Sequence, residues 1–341
     1  MLRCFELAQK GKFTVSPNPR VGSVIVHENR IIGEGYHQNY GEAHAEVNAI
    51  NSVKNKSLLK DSTLYVNLEP CSHFGKTPPC SDLIIQHKIP HVVVSNKDPF
   101  KEVNGGGISR LTAHGIKVTT GVLTEAGEEL NKRFFTFHQK KRPYIILKWA
   151  ETCDGFISRN QEEIKFHDNW ITTAQSKQLV HAWRAEETGI LVGKNTVLAD
   201  NPSLTCREVA GKSPIRIIID PHLELSLDFT IFNQEVKTLI INTSKNEIQE
   251  NLEFHQIDFE KNTIQNLLDK LYQLNIQSLL VEGGAYTLQQ FLNSQLWDEA
   301  RVFKGIKKFE KGISAPQIVL KPISSQTINT DTLTLYNRLD S

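Results

Sequence analysis

The residues best suited to chemistry are one histidine, one glutamate and two cysteines. His44 and Glu46 form a His-Ala-Glu sequence, and Cys71 and Cys80 follow later, each directly after a proline. Three protein ligands leave the fourth tetrahedral position of a zinc ion to a water molecule, whose pKa then falls to about 7. The pattern therefore predicts a catalytic zinc site, with His44, Cys71 and Cys80 as the ligands.

Glu46 supplies the carboxylate that such a site needs beside its ligands. It lies near the start of a predicted helix over residues 43–54, where it can move protons between the water and a departing amine. Zinc nucleobase deaminases share this His-x-Glu and Pro-Cys pattern, but with about two residues between the cysteines, whereas eight lie between them here. A structural site with His73 as fourth ligand is the alternative, and it leaves Glu46 without a role.

Strands and helices must position these side chains, and the first half of the chain alternates between them. Apolar periodicity predicts a helix that ends at Gly11 and then a hairpin that turns at Glu28 and Asn29. Further elements are predicted as strands over residues 63–67, 91–94 and 116–119, and as helices over residues 43–54, from Ser81 onward and before Gly115. This order is typical of a three-layer α/β domain.

The segment 139–143 is charged, ends in proline and is the best candidate for a domain boundary. Because a chain of 341 residues exceeds the usual size of one domain, we predict domains over residues 1–142 and 143–341. The second domain is also predicted to be α/β, with strands over residues 144–148, 190–192, 215–219, 238–241 and 279–281 and a long helix over residues 174–187.

A Glu-Gly-Gly sequence at residues 282–284 follows the last of these strands and precedes a helical run over residues 285–292. Two glycines at a helix start let a phosphate approach backbone N–H groups. A tight turn without a ligand is the other interpretation, and the sequence leaves both open. The usual dinucleotide fingerprint, Gly-x-Gly-x-x-Gly, does not occur in the chain.

Composition restricts the classes of function and the compartment. The chain has 39 Lys and Arg against 38 Asp and Glu, a net charge of +1, without a long basic run, which argues against nucleic-acid binding. Its five scattered cysteines do not resemble a disulfide framework. No segment has the apolar length of a membrane span, and the N-terminus does not resemble a signal peptide. We therefore expect a soluble, cytoplasmic protein that binds neither nucleic acid nor a membrane.

Taken together, the motifs resemble the bifunctional deaminase-reductase family of riboflavin biosynthesis over nearly the whole chain. In the first half the resemblance is carried by PNPRVG at residues 17–22, GEAHAE at residues 41–46 and LEPCSHFGKTPPC at residues 68–80. In the second half it is carried by residues 170–172, 191–193, 196–205 with Arg207, 214–216 and 281–284. It implies a cytidine-deaminase-like three-layer domain followed by a dihydrofolate-reductase-like domain.

The resemblance implies two consecutive reactions on one small, phosphorylated pyrimidine. In the first, zinc-dependent hydrolysis removes the 2-amino group of 2,5-diamino-6-(5-phosphoribosylamino)pyrimidin-4(3H)-one. In the second, NADPH reduces the ribosyl side chain to ribityl, giving 5-amino-6-(5-phosphoribitylamino)uracil. We also expect the chain to form a homo-oligomer, either a dimer or a tetramer.

Residue by residue, the resemblance implies four sets of functional side chains. The deaminase has Glu46 as its catalytic acid and base, and its substrate contacts are Asn18, His37, His73 and Lys76. The NADPH contacts are Ala150, Trp170, Thr196, Asp200, Gly284, Ala285, Tyr286, Thr287, Leu288, Gln289 and Gln290. The contacts of the reductase substrate are Asp168, Arg184, Leu204, Arg207 and Glu282. Both arginines suit a phosphate, and Lys148 and Asp154 are candidates to line the site of hydride transfer.

Simpler roles compete with some of these assignments. Trp170 could be an ordinary core aromatic, and Arg184 a solvated side chain on a charged helix.

Two other classes of function also remain. A nucleic-acid-editing deaminase would share the zinc chemistry, but the near-neutral charge and the reductase-like half disfavour it. A zinc-stabilised binding protein would have a closed site with four ligands.

Overall fold

The computed structural model of the protein describes residues 1–72, 78–100, 104–159 and 169–338. The chain divides into two compact units, Met1–Lys141 and Arg142–Ser341. Arg142 belongs to the second unit because its guanidinium group binds the buried carboxylate of Asp298 through two hydrogen bonds of 2.6 and 2.7 Å. The predicted boundary, which left Arg142 in the first domain, lies one residue later than this division.

The first unit is built on a five-stranded sheet. Its strands are β1 (Gly22–His27), β2 (Arg30–Tyr36), β3 (Thr63–Leu68), β4 (His91–Asn96) and β5 (Lys117–Thr120), in the order β2-β1-β3-β4-β5. β1 is antiparallel to both of its neighbours, whereas β3, β4 and β5 are parallel to one another. The β1–β2 hairpin turns at Glu28 and Asn29, both in the left-handed region, as the sequence predicted.

Helices accompany this sheet: α1 (Leu2–Gln9), α2 (Ala45–Ser52), α3 (Cys80–Gln86), α4 (Gly106–Ala113), α5 (Thr124–Leu130) and α6 (Lys132–Lys140). α2 is shorter than predicted, because His44 is its N-cap with an extended backbone, at ψ 165°, and Val53 is extended again at the other end. Gly35 of β2 lets α2 approach closely, since a Cβ atom there would lie 2.3 Å from the backbone nitrogen of Ala49. This close packing sets the position of His44 and Glu46.

The second unit carries a ten-stranded sheet in the order β11-β12-β10-β9-β8-β13-β6-β14-β17-β16. The strands are β6 (Tyr144–Glu151), β8 (Gly189–Gly193), β9 (Ile215–Ile219), β10 (Thr238–Asn242), β11 (Glu247–Gln249), β12 (Leu252–Gln256), β13 (Ser278–Val281), β14 (Glu299–Lys304), β16 (Ser324–Ile328) and β17 (Asp331–Asn337). The seven from β12 to β14 are parallel. Two short strands, β7 (Phe156–Ser158) and β15 (Ile313–Ser314), pair separately.

The helices of the second unit are α7 (Ala174–Glu186), α8 (Lys194–Asp200), α9 (Thr263–Gln273) and α10 (Ala285–Ser294). α8 starts directly after β8, and α10 starts just after the neighbouring strand β13, so both begin at the carboxyl edge of the parallel strands. Ligands of open α/β sheets bind at this edge. None of the helices within the described ranges is both long and apolar enough to cross a membrane.

Each unit has its own apolar core, which predicts that each folds alone. The first is centred on residues such as Ile25, Leu64 and Val92, and the second on residues such as Ile145 and Leu279. A chain cut between residues 141 and 142 should therefore give two fragments that each unfold cooperatively in urea. Failure of either fragment to show a cooperative transition would contradict this prediction.

Candidate active sites

His44, Cys71 and Cys80 come together in the first unit as the sequence predicted. The Nδ1 atom of His44 lies 3.6 Å from the Sγ atom of Cys71 and 3.3 Å from that of Cys80. One ligand atom from each residue lies within 4.8 Å of the others. Among the residues that the structure describes, no other group of three or more such side chains is close enough to hold a metal ion.

Within this cluster the Cys71 side chain favours its ionised form. The pKa of the Cys71 thiol is lowered to about 4, first because the Cys80 thiol donates a hydrogen bond to it and also because His44 does. The backbone N–H of Cys80, in the first turn of α3, also donates to the Cys71 sulfur at 3.3 Å. A thiolate is the form of cysteine that binds metals.

Glu46 lies beside the cluster, in the first turn of α2, with only 3% of its surface exposed. Burial raises the pKa of its carboxyl group to about 7, although the charge of His44 opposes the shift. A carboxyl group with such a pKa can both accept and donate a proton near neutral pH. Its depth in the unit explains why it is not solvated like an ordinary surface glutamate.

The loop that carries Cys71 is fastened by Glu69, to which the sequence analysis assigned no role. The buried carboxylate of Glu69 accepts hydrogen bonds from the backbone N–H groups of Asp98, Gly105 and Ile108, at 3.0 to 3.2 Å. These bonds join the end of β3 to the start of α4. The signal that the sequence offered for such an anchor was a glutamate directly before a predicted Pro-Cys ligand.

Asn18 and His37 meet near the cluster. The His37 ring stands edge-on to the His44 ring, with centroids 5.4 Å apart. Because the Ala43 carbonyl can only accept, the Nδ1 atom of His37 donates to it, at 3.1 Å, and the Nε2 atom accepts from the Asn18 amide, at 3.0 Å. This arrangement leaves the side-chain oxygen of Asn18 without a partner among the described residues. The other two predicted contacts, His73 and Lys76, lie outside the described residues.

In the second unit, Glu282 forms the centre of a buried ionic cluster at the carboxyl edge of the sheet. Arg184 donates to both of its carboxylate oxygens, at 3.0 and 2.7 Å, and the Nζ atom of Lys148 lies 3.7 Å away. Burial alone would raise the pKa of Glu282, but the charges of Arg184 and Lys148 lower it to about 2. Arg184 is therefore not the solvated helix side chain of the simpler interpretation.

Residues 203–207 form a loop beside this cluster. Arg184 also donates from Nη1 to the Thr205 carbonyl at 3.3 Å, so three of its five N–H groups are used within the protein. Arg207 is more exposed, and its Nη1 atom donates to the Ser203 hydroxyl at 2.7 Å. The Leu204 side chain is 3% exposed and packs in an apolar core, so only the backbone of Leu204 can face a ligand.

Most of the predicted NADPH contacts lie around the starts of α8 and α10. Gly284 has a φ of 64°, and a Cβ atom there would lie 3.3 Å from the hydroxyl of Thr196. Tyr286 is 76% exposed, whereas the side chain of Leu288 is buried in the core and turned away from any ligand. Of the remaining predicted contacts, Thr287 is buried and Asp200 is exposed. The others are half-buried: Ala150, Ala285, Gln289 and Gln290.

Trp170 is not a core aromatic, because 53% of its surface is exposed. Its indole N–H donates to the Thr172 carbonyl at 2.6 Å, and the Nζ atom of Lys177 lies 5.6 Å from its ring centroid. The simpler interpretation of this residue is therefore wrong. Asp168, the neighbouring candidate for a substrate contact, lies outside the described residues.

Asp154, a candidate to line the site of hydride transfer, uses its carboxylate to hold neighbouring backbone in place. Its carboxylate accepts from the Thr152 hydroxyl at 2.6 Å and from the backbone N–H groups of Phe309 and Glu310 at 2.8 to 3.2 Å. The hydrogen bond from Thr152 is the main reason that the pKa of Asp154 is lowered to about 2. Asp154 thus fastens the segment after β14.

Comparison with known proteins matches both units. Residues 1–96 match the model of the cytidine and deoxycytidylate deaminase zinc-binding region, and residues 143–305 match that of the RibD C-terminal domain. The chain is 42% identical to the riboflavin biosynthesis protein RibD of Aquifex aeolicus, over 95% of this chain and 90% of that protein. It is 37% identical to the Escherichia coli protein of the same name, over 89% and 86%.

Solved structures show the same similarity over the full length. A diaminohydroxyphosphoribosylaminopyrimidine deaminase/5-amino-6-(5-phosphoribosylamino)uracil reductase from Thermotoga maritima is 37% identical, with a TM-score of 0.87, and covers 99% of this chain and 97% of its own. RibD from Acinetobacter baumannii is 30% identical, with the same TM-score, over 99% and 98%.

Proposed function

We propose how this chain performs the two reactions of the RibD family, the bifunctional deaminase-reductases of riboflavin biosynthesis, to which it belongs. The first unit hydrolyses the 2-amino group of 2,5-diamino-6-(5-phosphoribosylamino)pyrimidin-4(3H)-one. The second reduces the ribosyl side chain of the product with NADPH. The observation that carries the proposal is the group of three metal ligands beside the buried Glu46, because a purely structural zinc site has no use for that carboxylate.

The donor set of the first unit fits zinc. One imidazole nitrogen and two cysteine sulfurs are ligands that Zn²⁺ prefers, and three protein ligands are the number found in catalytic sites. When bound, zinc supplies a water that is activated at neutral pH. The ligands are His44, Cys71 and Cys80, and Glu46 is left free for proton transfer.

The chain's own groups bind the pyrimidine and move the protons. Glu46 takes the two protons of the attacking water one after the other, and it passes the first to the ring nitrogen and the second to the departing amine, so that ammonia leaves as a neutral molecule. His37 is held with its proton on Nδ1, and it orients the Asn18 amide so that the free side-chain oxygen of Asn18 can accept from the substrate. His73 and Lys76 are proposed as further contacts.

We expect the purified protein to contain one zinc ion per chain. Cys80→Ser should lose both the metal and ammonia release, because serine is a poor zinc ligand at neutral pH. The matched control is Cys153→Ser, which changes a half-buried cysteine outside the cluster. Metal analysis of the three proteins tests this. A full complement of zinc in Cys80→Ser, or its loss in Cys153→Ser, would contradict the ligand assignment.

In the second unit, NADPH is proposed to lie along the starts of α8 and α10. The positive φ of Gly284 and the free N–H groups at the start of α10 suit a phosphate of the cofactor. NADPH supplies the hydride when bound, and the protein's task is to orient the reacting carbon. Lys148 and Glu282 are placed at the same edge to hold polar groups of the ribosyl chain.

Of the two arginines, Arg207 is the stronger phosphate ligand in this proposal. Arg184 is committed to Glu282 and Thr205, and its main task is to hold the Glu282 carboxylate in place. Among the described residues, the guanidinium group of Arg207 donates a hydrogen bond to the Ser203 hydroxyl alone, and the side chain is exposed. Arg184, Leu204, Glu282 and Asp168 remain the other proposed contacts of this substrate.

Arg207→Ala should lower kcat/KM for the deaminated nucleotide by about ten- to a hundred-fold. Loss of a charge-assisted hydrogen bond of about 1.5 to 3 kcal/mol gives a change of this size. The affinity for NADPH should change little, because the phosphate in question belongs to the substrate. Lys245→Ala, which removes a half-buried cation paired with Glu247, is the matched control. An equal loss of affinity for both ligands would remove Arg207 from the phosphate site.

The assignment of one reaction to each unit can be tested with fragments. Residues 142–341 should oxidise NADPH when given the deaminated nucleotide, and residues 1–141 should release ammonia from the diaminopyrimidine nucleotide without NADPH. A folded fragment 142–341 that binds no NADPH would refute the assignment of the reductase. A homo-oligomeric state, a dimer or a tetramer, and a cytoplasmic location complete the proposal.

A further inference from the structure

Arg216, the second residue of β9, is the largest fully buried side chain among the described residues, and neither proposed reaction uses it directly. Its exposed fraction is 0%. Among the described residues no carboxylate lies within ion-pair distance of it, and its Nη2 atom has no hydrogen-bond partner. Burying a charge without a counter-ion costs free energy. We therefore ask which segments of the chain Arg216 contacts.

The guanidinium group of Arg216 joins two segments that are far apart in sequence. Nε donates to the Ser203 carbonyl at 2.9 Å, at the start of the loop 203–207. Nη1 donates to the Ile231 carbonyl at 3.1 Å and to the Asn233 side chain at 2.8 Å, in the turn 230–233. Arg216 therefore links the loop 203–207 to the turn 230–233.

The loop has a conformation that needs such support. Leu204 is in the left-handed region, at φ 53°, which is unfavourable for a leucine. On either side of it, the Ser203 hydroxyl accepts from Arg207 and the Thr205 carbonyl accepts from Arg184. Displacing Ser203 would thus displace Arg207 and the Leu204 backbone together.

We propose that Arg216 is a positioning residue for the reductase substrate, because it holds in place the loop 203–207, which carries Arg207. This inference rests on the proposed function, in which Arg207 binds the substrate phosphate. Arg216 does not touch the substrate. Arginine is required because its planar group reaches two segments at once with fixed geometry, which the single ammonium group of lysine cannot do.

The test uses the full chain with Arg216→Met, Arg216→Lys and Thr238→Val. The hydroxyl of Thr238 donates to the same Ile231 carbonyl at 3.0 Å but does not contact the loop, so Thr238→Val controls for a loss of stability. Misplacement of a binding group by about 1 Å can cost about a hundred-fold in rate. We therefore expect Arg216→Met to raise KM for the deaminated nucleotide by at least about ten-fold.

In the same experiment, the dissociation constant of NADPH and the rate of ammonia release should stay within about two-fold of wild type. Arg216→Lys should be intermediate, and Thr238→Val should keep the wild-type KM even if it lowers the unfolding midpoint. A folded Arg216→Met with an unchanged KM would overturn the inference. Wild-type protein that does not oxidise NADPH with this nucleotide would instead overturn the proposed function.

A second variant covers the case in which Arg216→Met does not fold. The Asn201 side chain accepts from the Thr230 backbone N–H at 2.8 Å and so ties the chain just before the loop 203–207 to the same turn. Asn201 has a φ of 39°, a conformation that glycine adopts easily. Asn201→Gly should fold and raise KM by about two- to ten-fold, the effect of one hydrogen bond. An unchanged KM in Asn201→Gly would likewise contradict the proposal.

Discussion

Glu46→Gln is expected to retain one zinc ion per chain and to release ammonia about 100- to 10,000-fold more slowly than the wild type, the usual contribution of general acid-base catalysis. Glutamine has nearly the shape of glutamate, so the packing of α2 should not change. It cannot accept and return a proton, however. Because Glu46 is buried and is not one of the three ligands, metal content and catalysis should separate in this variant.

Two internal comparisons make the Glu46 experiment specific. The same variant should reduce the deaminated nucleotide at the wild-type rate, because that reaction belongs to the other unit. Glu42→Gln, which changes an exposed carboxylate four residues earlier, should deaminate normally. If Glu46→Gln released ammonia at a near-normal rate, the assignment of Glu46 would be wrong.

Arg184→Met is expected to have the largest effect on stability. Removing one partner of a buried ion pair leaves the other charge uncompensated, which costs about 3 to 5 kcal/mol. Among the described residues, Glu282 would then keep the more distant Lys148 as its one ion-pair partner. We therefore expect loss of NADPH oxidation and a lower urea midpoint for the second unit, with ammonia release unchanged.

Tryptophan fluorescence measures the unfolding of the second unit selectively. All four tryptophans, Trp149, Trp170, Trp183 and Trp297, belong to the second unit. The double variant Arg184→Met with Glu282→Gln should regain part of the lost stability, since position 282 then carries no negative charge that has lost its arginine partner, but it should regain no activity. A wild-type urea midpoint in Arg184→Met would show that the ion pair is not important for the fold.

The same ion pair predicts a dependence on pH. The pKa of Glu282 is about 2 in the folded chain, below its ordinary value of 4.5. Its contribution to stability is therefore fully present above pH 4.5 and is lost as the pH falls from 4.5 towards 2. This loss should be smaller in the double variant, which has no carboxylate at position 282.

The fold class predicted from the sequence is confirmed, and the metal ligands are close together as expected. Both succeeded for local reasons. Strands such as β3 and β4 are apolar runs bounded by turns. A His-x-Glu sequence followed by two Pro-Cys sequences is a specific signal for a zinc site. The error at α2 is also local, because an N-cap histidine with an extended backbone cannot be distinguished from a first helical residue by periodicity.

What the sequence could not reveal depends on contacts between distant residues. Arg184 and Glu282 are 98 positions apart, and only the parallel pairing of β8 with β13 brings α7 near the end of β13. Arg142 and Asp298 are separated by 156 positions. The side chains of Leu204 and Leu288 point into the apolar core as a result of packing. The sequence motif alone does not show whether the side chain or the backbone of such a leucine faces a ligand.

Incubation of the purified protein with the diaminopyrimidine nucleotide shows whether one chain performs both reactions in sequence. Without NADPH, we expect one ammonia per nucleotide and a product that accumulates in the deaminated form. With NADPH, we expect the same ammonia and the oxidation of one NADPH per nucleotide, with the ammonia released first. Ammonia release without any NADPH oxidation, or NADPH oxidation that precedes deamination, would show that the chain does not perform both reactions in this order.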